Sequence, residues 1–111
     1  MILMESIVAV CADGEWPGCN VHPNFGRCKV FHFVRIGNGE IELVKSVPNP
    51  FLDSNGAGTS SAGLVAENKA VAALAGQFGP KAAGALSKWG IEMRRASGKA
   101  EDALKALQKK A

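Results

Sequence analysis

A chain of 111 residues, 47% hydrophobic and 21% charged, has the size and composition of one compact domain and is not that of a disordered polymer. Thirteen lysines and arginines against ten carboxylates leave a net charge of +3, too small and too dispersed to grip nucleic acid by bulk charge. No apolar stretch approaches the roughly 20 residues of a membrane helix, and Met1-Ile2-Leu3-Met4 meets Glu5 without the basic flank or cleavage site of a signal peptide. Ile7-Val8-Ala9-Val10 is a continuous apolar run, which predicts a strand covered on both faces. A long loop, residues 11–27, follows with Asp13-Gly14 and Trp16-Pro17-Gly18 as turn signals. Residues 30–36 are aromatic and β-branched and predict a second strand. Gly37-Asn38-Gly39 turns it into a third, where Ile41, Leu43 and Val47 alternate with Glu40, Glu42 and Lys45, as on an edge strand.

Pro48-Asn49-Pro50 ends that strand, and a first helix is expected with Thr59 or Ser60 as N-cap and Ala62, Val65 and Ala66 facing inward. Val71-Ala72-Ala73-Leu74-Ala75 predicts an interior strand whose small side chains permit close helix packing. A second helix has Pro80 near its first turn, a core face of Ala82, Leu86 and Trp89, and Gly90 as its stop. Ile91 and Met93 predict a short outer strand. A last helix follows Ser97-Gly98, with Glu101 and Asp102 early and Lys105, Lys109 and Lys110 late, as the helix dipole favours. Helical crossovers require parallel, right-handed connections. The expected fold is therefore a single α/β domain over residues 1–111, a three-layer sandwich. Its five-stranded mixed sheet is ordered 3-2-1-4-5, with strand 2 antiparallel and helices on both faces.

In that topology four connections emerge at one rim, and three of them lead into helix N-termini next to glycines. Such termini offer unpaired N–H groups and partial positive charge, outside the carboxyl ends of the strands where open α/β sheets bind ligands. An anion site is expected there. Three cysteines are an odd number without a secretory mark, so reduced thiols in a cytoplasmic protein are expected. All three fall near the rim. The spacing Cys19-x2-His22-x5-Cys28 would let two thiolates and an imidazole reach one soft metal, with Cys11 near and with Arg27 and Lys29 favouring thiolate over thiol. Structural readings stand beside these. Cys11 reads as a small packed hydrophobe, His22 equally as a solvated loop residue, and His32 as a satisfied mid-strand histidine. Phe25 and Trp16 read as loop anchors and Trp89 as core.

The block Pro23-Asn24-Phe25-Gly26-Arg27, then Asn55-Gly56-Ala57-Gly58, then Ala75-Gly76-Gln77-Phe78-Gly79-Pro80, then Ala96-Ser97-Gly98, resembles the dinitrogenase iron–molybdenum cofactor biosynthesis family over nearly the whole chain. The resemblance implies an RNase H-like α/β fold. It also implies a non-enzymatic carrier or scaffold for a molybdenum- or iron-containing sulfide cluster, either Mo–Fe–S or Mo–Cu–S. Such a polyanion would be cradled by Asn24, Phe25, Gly26 and Arg27, by Gly56, Ala57, Gly58 and Thr59, and by Gly76, Gln77 and Gly79. Cys19, His22 and Cys28 are candidate ligands. The family often carries histidine directly before Phe-Gly-Arg, where this chain has Asn24, a poor ligand for a soft metal. Expected partners are the inorganic cluster and a protein that donates or accepts it, with no nucleic acid, no membrane and a monomeric chain. Competing readings are a mononuclear zinc or copper module of Cys and His, an interaction module using the Trp16-Pro17 turn, and an RNase H-like hydrolase. The last would need clustered carboxylates for magnesium, and only Asp13, Glu15 and Asp53 lie in the rim loops.

Overall fold

The apolar run at the head of the chain forms the middle of a sheet. In the computed structural model, which describes residues 6–37, 39–51 and 56–109, β1 (Ser6–Ala12) is fully buried from Val8 onward. β2 (Val30–Gly37) pairs antiparallel with it, setting Cys11 opposite Phe31 and Val10 opposite His32. β3 (Glu40–Pro48) pairs antiparallel with β2 and lies at the open edge, with one irregularity between Phe33 and Val34 where Val44 is the extra residue. α1 (Ala57–Glu67) then crosses to β4 (Ala72–Ala75), parallel to β1, and α2 (Pro80–Lys88) crosses to β5 (Glu92–Arg95), parallel to β4. α3 (Ala100–Lys109) closes the described chain. The strand order is β3-β2-β1-β4-β5, with only β2 running against the others, as expected from the sequence.

Side-chain alternation divides the core in two. Ala9, Cys11, Phe31, Phe33, Ala73 and Ala75 face α1 and α2 and meet Ala62, Val65, Ala82 and Leu86. Val8, Val10, Val34, Ile36, Ala72 and Leu74 face the other way and meet Ala100, Leu104 and Leu107 of α3. This makes three layers. The alanines of β4 bring helices in on both sides at little cost in volume. No helix among the described residues is long and apolar enough to cross a membrane.

Three expectations are corrected. α1 is capped by neither Thr59 nor Ser60. It starts at Ala57 behind Gly56, whose left-handed φ of 76° turns the chain and whose carbonyl accepts from the Ser60 N–H at 3.1 Å. β4 begins at Ala72, leaving Val71 exposed. Trp89 is not core but 59% exposed. α2 stops at Lys88 in a left-handed C-terminal motif, with the Ile91 N–H donating to Leu86 (2.9 Å) and the Gly90 N–H to Ser87 (3.0 Å), so the chain reverses before the indole can turn inward. Expectations on Met1-Ile2-Leu3-Met4, Asn38, Asp53, Asn55 and Lys110 fall outside the described residues.

Candidate functional site

The long loop between β1 and β2 runs across the rim and is stitched to each element that it passes. The Val21 N–H donates to the Gly98 carbonyl (2.9 Å), and the Cys19 carbonyl accepts from the Ala100 N–H at the start of α3 (3.0 Å). His22 links β1 to the residue that follows β4, its N–H donating to Cys11 (2.7 Å) and its carbonyl accepting from Gly76 (2.8 Å). Farther on, the Phe25 N–H donates to the Gln77 carbonyl (3.0 Å), and the Gln77 amide donates to the Asn24 side chain. The loop then turns at Gly26, φ 91°, against the first turn of α1. Asn49 holds that turn from below, its Nδ2 donating to the carbonyls of Gly26 (3.0 Å) and Cys28 (2.9 Å). Phe25 anchors the loop, buried between Phe78 (5.3 Å between ring centroids) and Phe31 (5.8 Å).

Residues 24–27, the N-terminus of α1 and the segment 76–79 therefore converge, as the resemblance requires. The glycines among them are of two kinds. A Cβ at Gly26 would stand 3.0 Å from Gly58, one at Gly58 3.0 Å from Ala82, and one at Gly76 2.6 Å from Pro23, so these three positions are filled by the protein itself. A Cβ added at Gly56 or Gly79 would meet no described residue within 4 Å. These two are the N-caps of α1 and α2, and neither helix has a side-chain cap or an acidic residue in its first turn. α3 differs. It carries Glu101 and Asp102 in its first turn and takes the Cys19 carbonyl on its first N–H. Among the described residues, two of the three positive helix ends on the rim are thus left without internal compensation, side by side and open to an anion. Gly56, Gly58, Thr59, Gln77, Gly79, Asn24 and Arg27 lie on this surface. Phe25 and Ala57 are buried beneath it, and Gly76 is covered by Pro23.

The proposed ligand set does not assemble. Cys28 is buried with Cys11 in the core under α1 and α2, whereas Cys19 is buried in the core under α3, so the sheet separates them. Among the described residues no three His, Cys, Asp or Glu side chains are grouped to hold a metal ion. The expectation of thiolates is also overturned. A hydrogen bond with Cys11, followed by burial, holds the Cys28 thiol well above its ordinary pKa. Burial pushes the Cys19 thiol up, with Asp13 and Glu101 adding to it against a backbone hydrogen bond and Lys99. Arg27 and Lys29 do not figure among the causes for either. His22 is half-buried, with Nδ1 accepting from the Asn24 N–H at 3.0 Å. His32 is a satisfied buried histidine, between Ser46 Oγ (2.7 Å) and the Gly14 carbonyl (2.8 Å). Asp13 accepts from the Asn20 N–H (3.0 Å) and shapes the loop. The sequence reading missed Asn49. Its one signal was an asparagine between two prolines at a strand end, a place for a side chain to bond nearby backbone.

Comparison with known proteins agrees with this geometry. The model of a family described as dinitrogenase iron-molybdenum cofactor matches residues 5–110. An uncharacterized protein of Methanocaldococcus jannaschii is 37% identical over 76 residues, 68% of this chain and 64% of that protein, so the match spans less than two-thirds of its relative. The apo form of the orange protein from Desulfovibrio gigas superposes with a TM-score of 0.79 at 28% identity, covering 95% of this chain and 88% of that one. The crystal structure of PH0822 superposes with a TM-score of 0.76 at 25% identity, covering 94% and 89%.

Proposed function

Because the chain belongs to the dinitrogenase iron-molybdenum cofactor family, we propose that it is a non-enzymatic carrier for a molybdenum- or iron-containing sulfide cluster, of the Mo–Fe–S or Mo–Cu–S kind. It would act as a monomer in the cytoplasm, on an RNase H-like version of the α/β fold, receiving the cluster from one protein or passing it to another. The observation that carries this reading is the pair of helix N-termini behind Gly56 and Gly79 that no described residue compensates. A metal–sulfide cluster is a polyanion, and fixed N–H dipoles stabilise it without contributing a ligand bond. Cradling in place of coordination also suits a rim where Asn24 occupies the family's histidine position and the thiols are buried. The N–H groups of the first turns of α1 and α2 would face the guest, and the exposed Arg27 would offset its charge. The apo form of a structural neighbour called the orange protein supports looking for a coloured guest here.

Gly79 provides the test. Its φ of −68° suits any residue and an added methyl meets no described residue, so Gly79→Ala should cost no more than about 1 kcal/mol, the difference between glycine and alanine as an N-cap. The same methyl stands where the guest would approach the N–H groups of α2. Uptake of tetrathiomolybdate, followed by visible charge-transfer absorption and metal analysis, should weaken roughly tenfold, equivalent to about 1.4 kcal/mol. Wild-type protein that stays colourless, isolates without metal and takes up neither tetrathiomolybdate nor a preformed cluster would overturn the carrier reading.

A further inference from the structure

In an open α/β sheet the ligand crevice forms where chains leave adjacent strand ends toward opposite faces. α2, which follows β4, packs on the face that holds Ala82 and Leu86. α3, which follows β5, packs on the face that holds Ala100 and Leu104. The two connections therefore part above the C-terminal ends of β4 and β5. The neighbouring gap, between β1 and β4, is closed by the long loop through the His22–Gly76 and Phe25–Gln77 hydrogen bonds. What stays open is a crevice of about 320 Å³ lined by Gly76, Arg95, Ala96 and Ser97. That is at the small end of ligand sites.

Its chemistry has one sign. Arg35 is paired with Glu42 (2.9 Å) and Arg94 with Glu92 (2.7 Å), but Arg95 has no carboxylate or other acceptor among the described residues. The N–H groups of Ser97 and Gly98 also lack an acceptor among them. No carboxylate lines the crevice. A guanidinium presents a planar fork of donors that spans the edge of a tetrahedral anion, which an isolated ammonium cannot do. Gly76 forms one wall, and the chain runs from it to Gly79, the N-cap of α2, so the crevice adjoins the surface described above.

We propose that this crevice is an anion subsite, in which Arg95 and the N–H groups of Ser97 and Gly98 hold a compact tetrahedral dianion of the thiomolybdate type. The choice of thiomolybdate rests on the carrier reading, whereas the anion site rests on topology and charge alone. The experiment is amide-resolved NMR of the full chain titrated in parallel with tetrathiomolybdate, molybdate and inorganic phosphate, with Arg95→Gln and Arg94→Gln as variants. The expected result is saturable shifts at Ser97 and Gly98, with tetrathiomolybdate affinity falling at least tenfold in Arg95→Gln and less than twofold in Arg94→Gln. Binding of tetrathiomolybdate that moves only residues 56–59, or that both variants weaken equally, overturns the subsite and leaves the carrier reading standing. Shifts at Ser97 and Gly98 with molybdate or phosphate but none with tetrathiomolybdate keep the subsite and overturn the carrier reading. Silence with all three anions overturns both.

Discussion

One added methyl separates the two kinds of glycine on the rim. At Gly76 it would stand 2.6 Å from Pro23 Cα and 2.7 Å from its carbonyl oxygen, so the loop must shift and strain the His22–Gly76 hydrogen bond. Gly76→Ala should cost about 1–3 kcal/mol, read as a lower urea midpoint, where Gly79→Ala meets no such clash. Asn49 is the polar counterpart. Asn49→Ala leaves the carbonyls of Gly26 and Cys28 without their side-chain donor, and a loss of about 1–3 kcal/mol is expected in the same measurement. Cys28 makes stability depend on alkaline pH. Its folded pKa is raised above the ordinary 9.0, so the folded state keeps a proton that the unfolded chain releases. Its contribution is thus intact below pH 9 and is lost as pH rises, with a slope of about −1.4 kcal/mol per pH unit for one such group. Urea unfolding under reducing conditions from pH 8 to 10 should show this fall. Cys28→Ala, whatever its cost at pH 7, should make it shallower, with Cys19, whose thiol is also pushed up, supplying the remainder.

At the scale of elements, α2 shows where a hydrophobic pattern misleads. Ala82, Leu86 and Trp89 recur at helical spacing, and the first two are buried, but the left-handed turn at Gly90 ends the helix beneath the third. The indole instead borders an open groove with Phe51, Leu64 and Ile91. Trp89→Ala should therefore cost about 1 kcal/mol, well short of the 3–5 kcal/mol typical of a buried tryptophan. In a Trp16→Phe background the Trp89 fluorescence should be readily quenched by acrylamide, and a shielded, blue-shifted emission would contradict the exposed placement. The strands were more legible because their signals are local and redundant. An unbroken run such as Ile7-Val8-Ala9-Val10 can be buried on both faces only in a central strand, and the charges of β3 mark an edge. The single apolar face expected of β3 does not form, because the irregularity at Val44 sends Ile41 to the core under α3 and Val47 to the other and leaves Leu43 exposed. Helix starts were not legible at Gly56, where a left-handed glycine does what Thr59 or Ser60 could have done. The ligand set failed for a related reason. The interval from Cys19 to Cys28 is short in sequence, but the loop between them dips into the core on either side of the sheet, and spacing alone does not record on which face each residue lands.

For the molecule as a whole, the decisive element has no regular secondary structure. Residues 13–29 place Cys19 and Val21 in one core and Phe25 and Cys28 in the other, and they bond to β1, to Gly76 and Gln77 just after β4 and to the approach to α3 along the way. A loop that only covered the rim could open without disturbing the sheet. A loop buried on both sides cannot, because lifting it exposes apolar surface in both cores and leaves backbone groups of His22, Phe25 and Gly76 unpaired at once. The rim should accordingly be preorganised, so that the dipoles of α1 and α2 are fixed before an anion arrives and little binding energy is spent on ordering them. Native-state hydrogen exchange measures this directly. The amides of Val21, His22, Phe25 and Gly76 should exchange only through the same global opening as Val10 in β1, with the same dependence on urea. If they exchange through a smaller, urea-independent opening, the strap is a lid, and an anion would then have to order the rim as it binds.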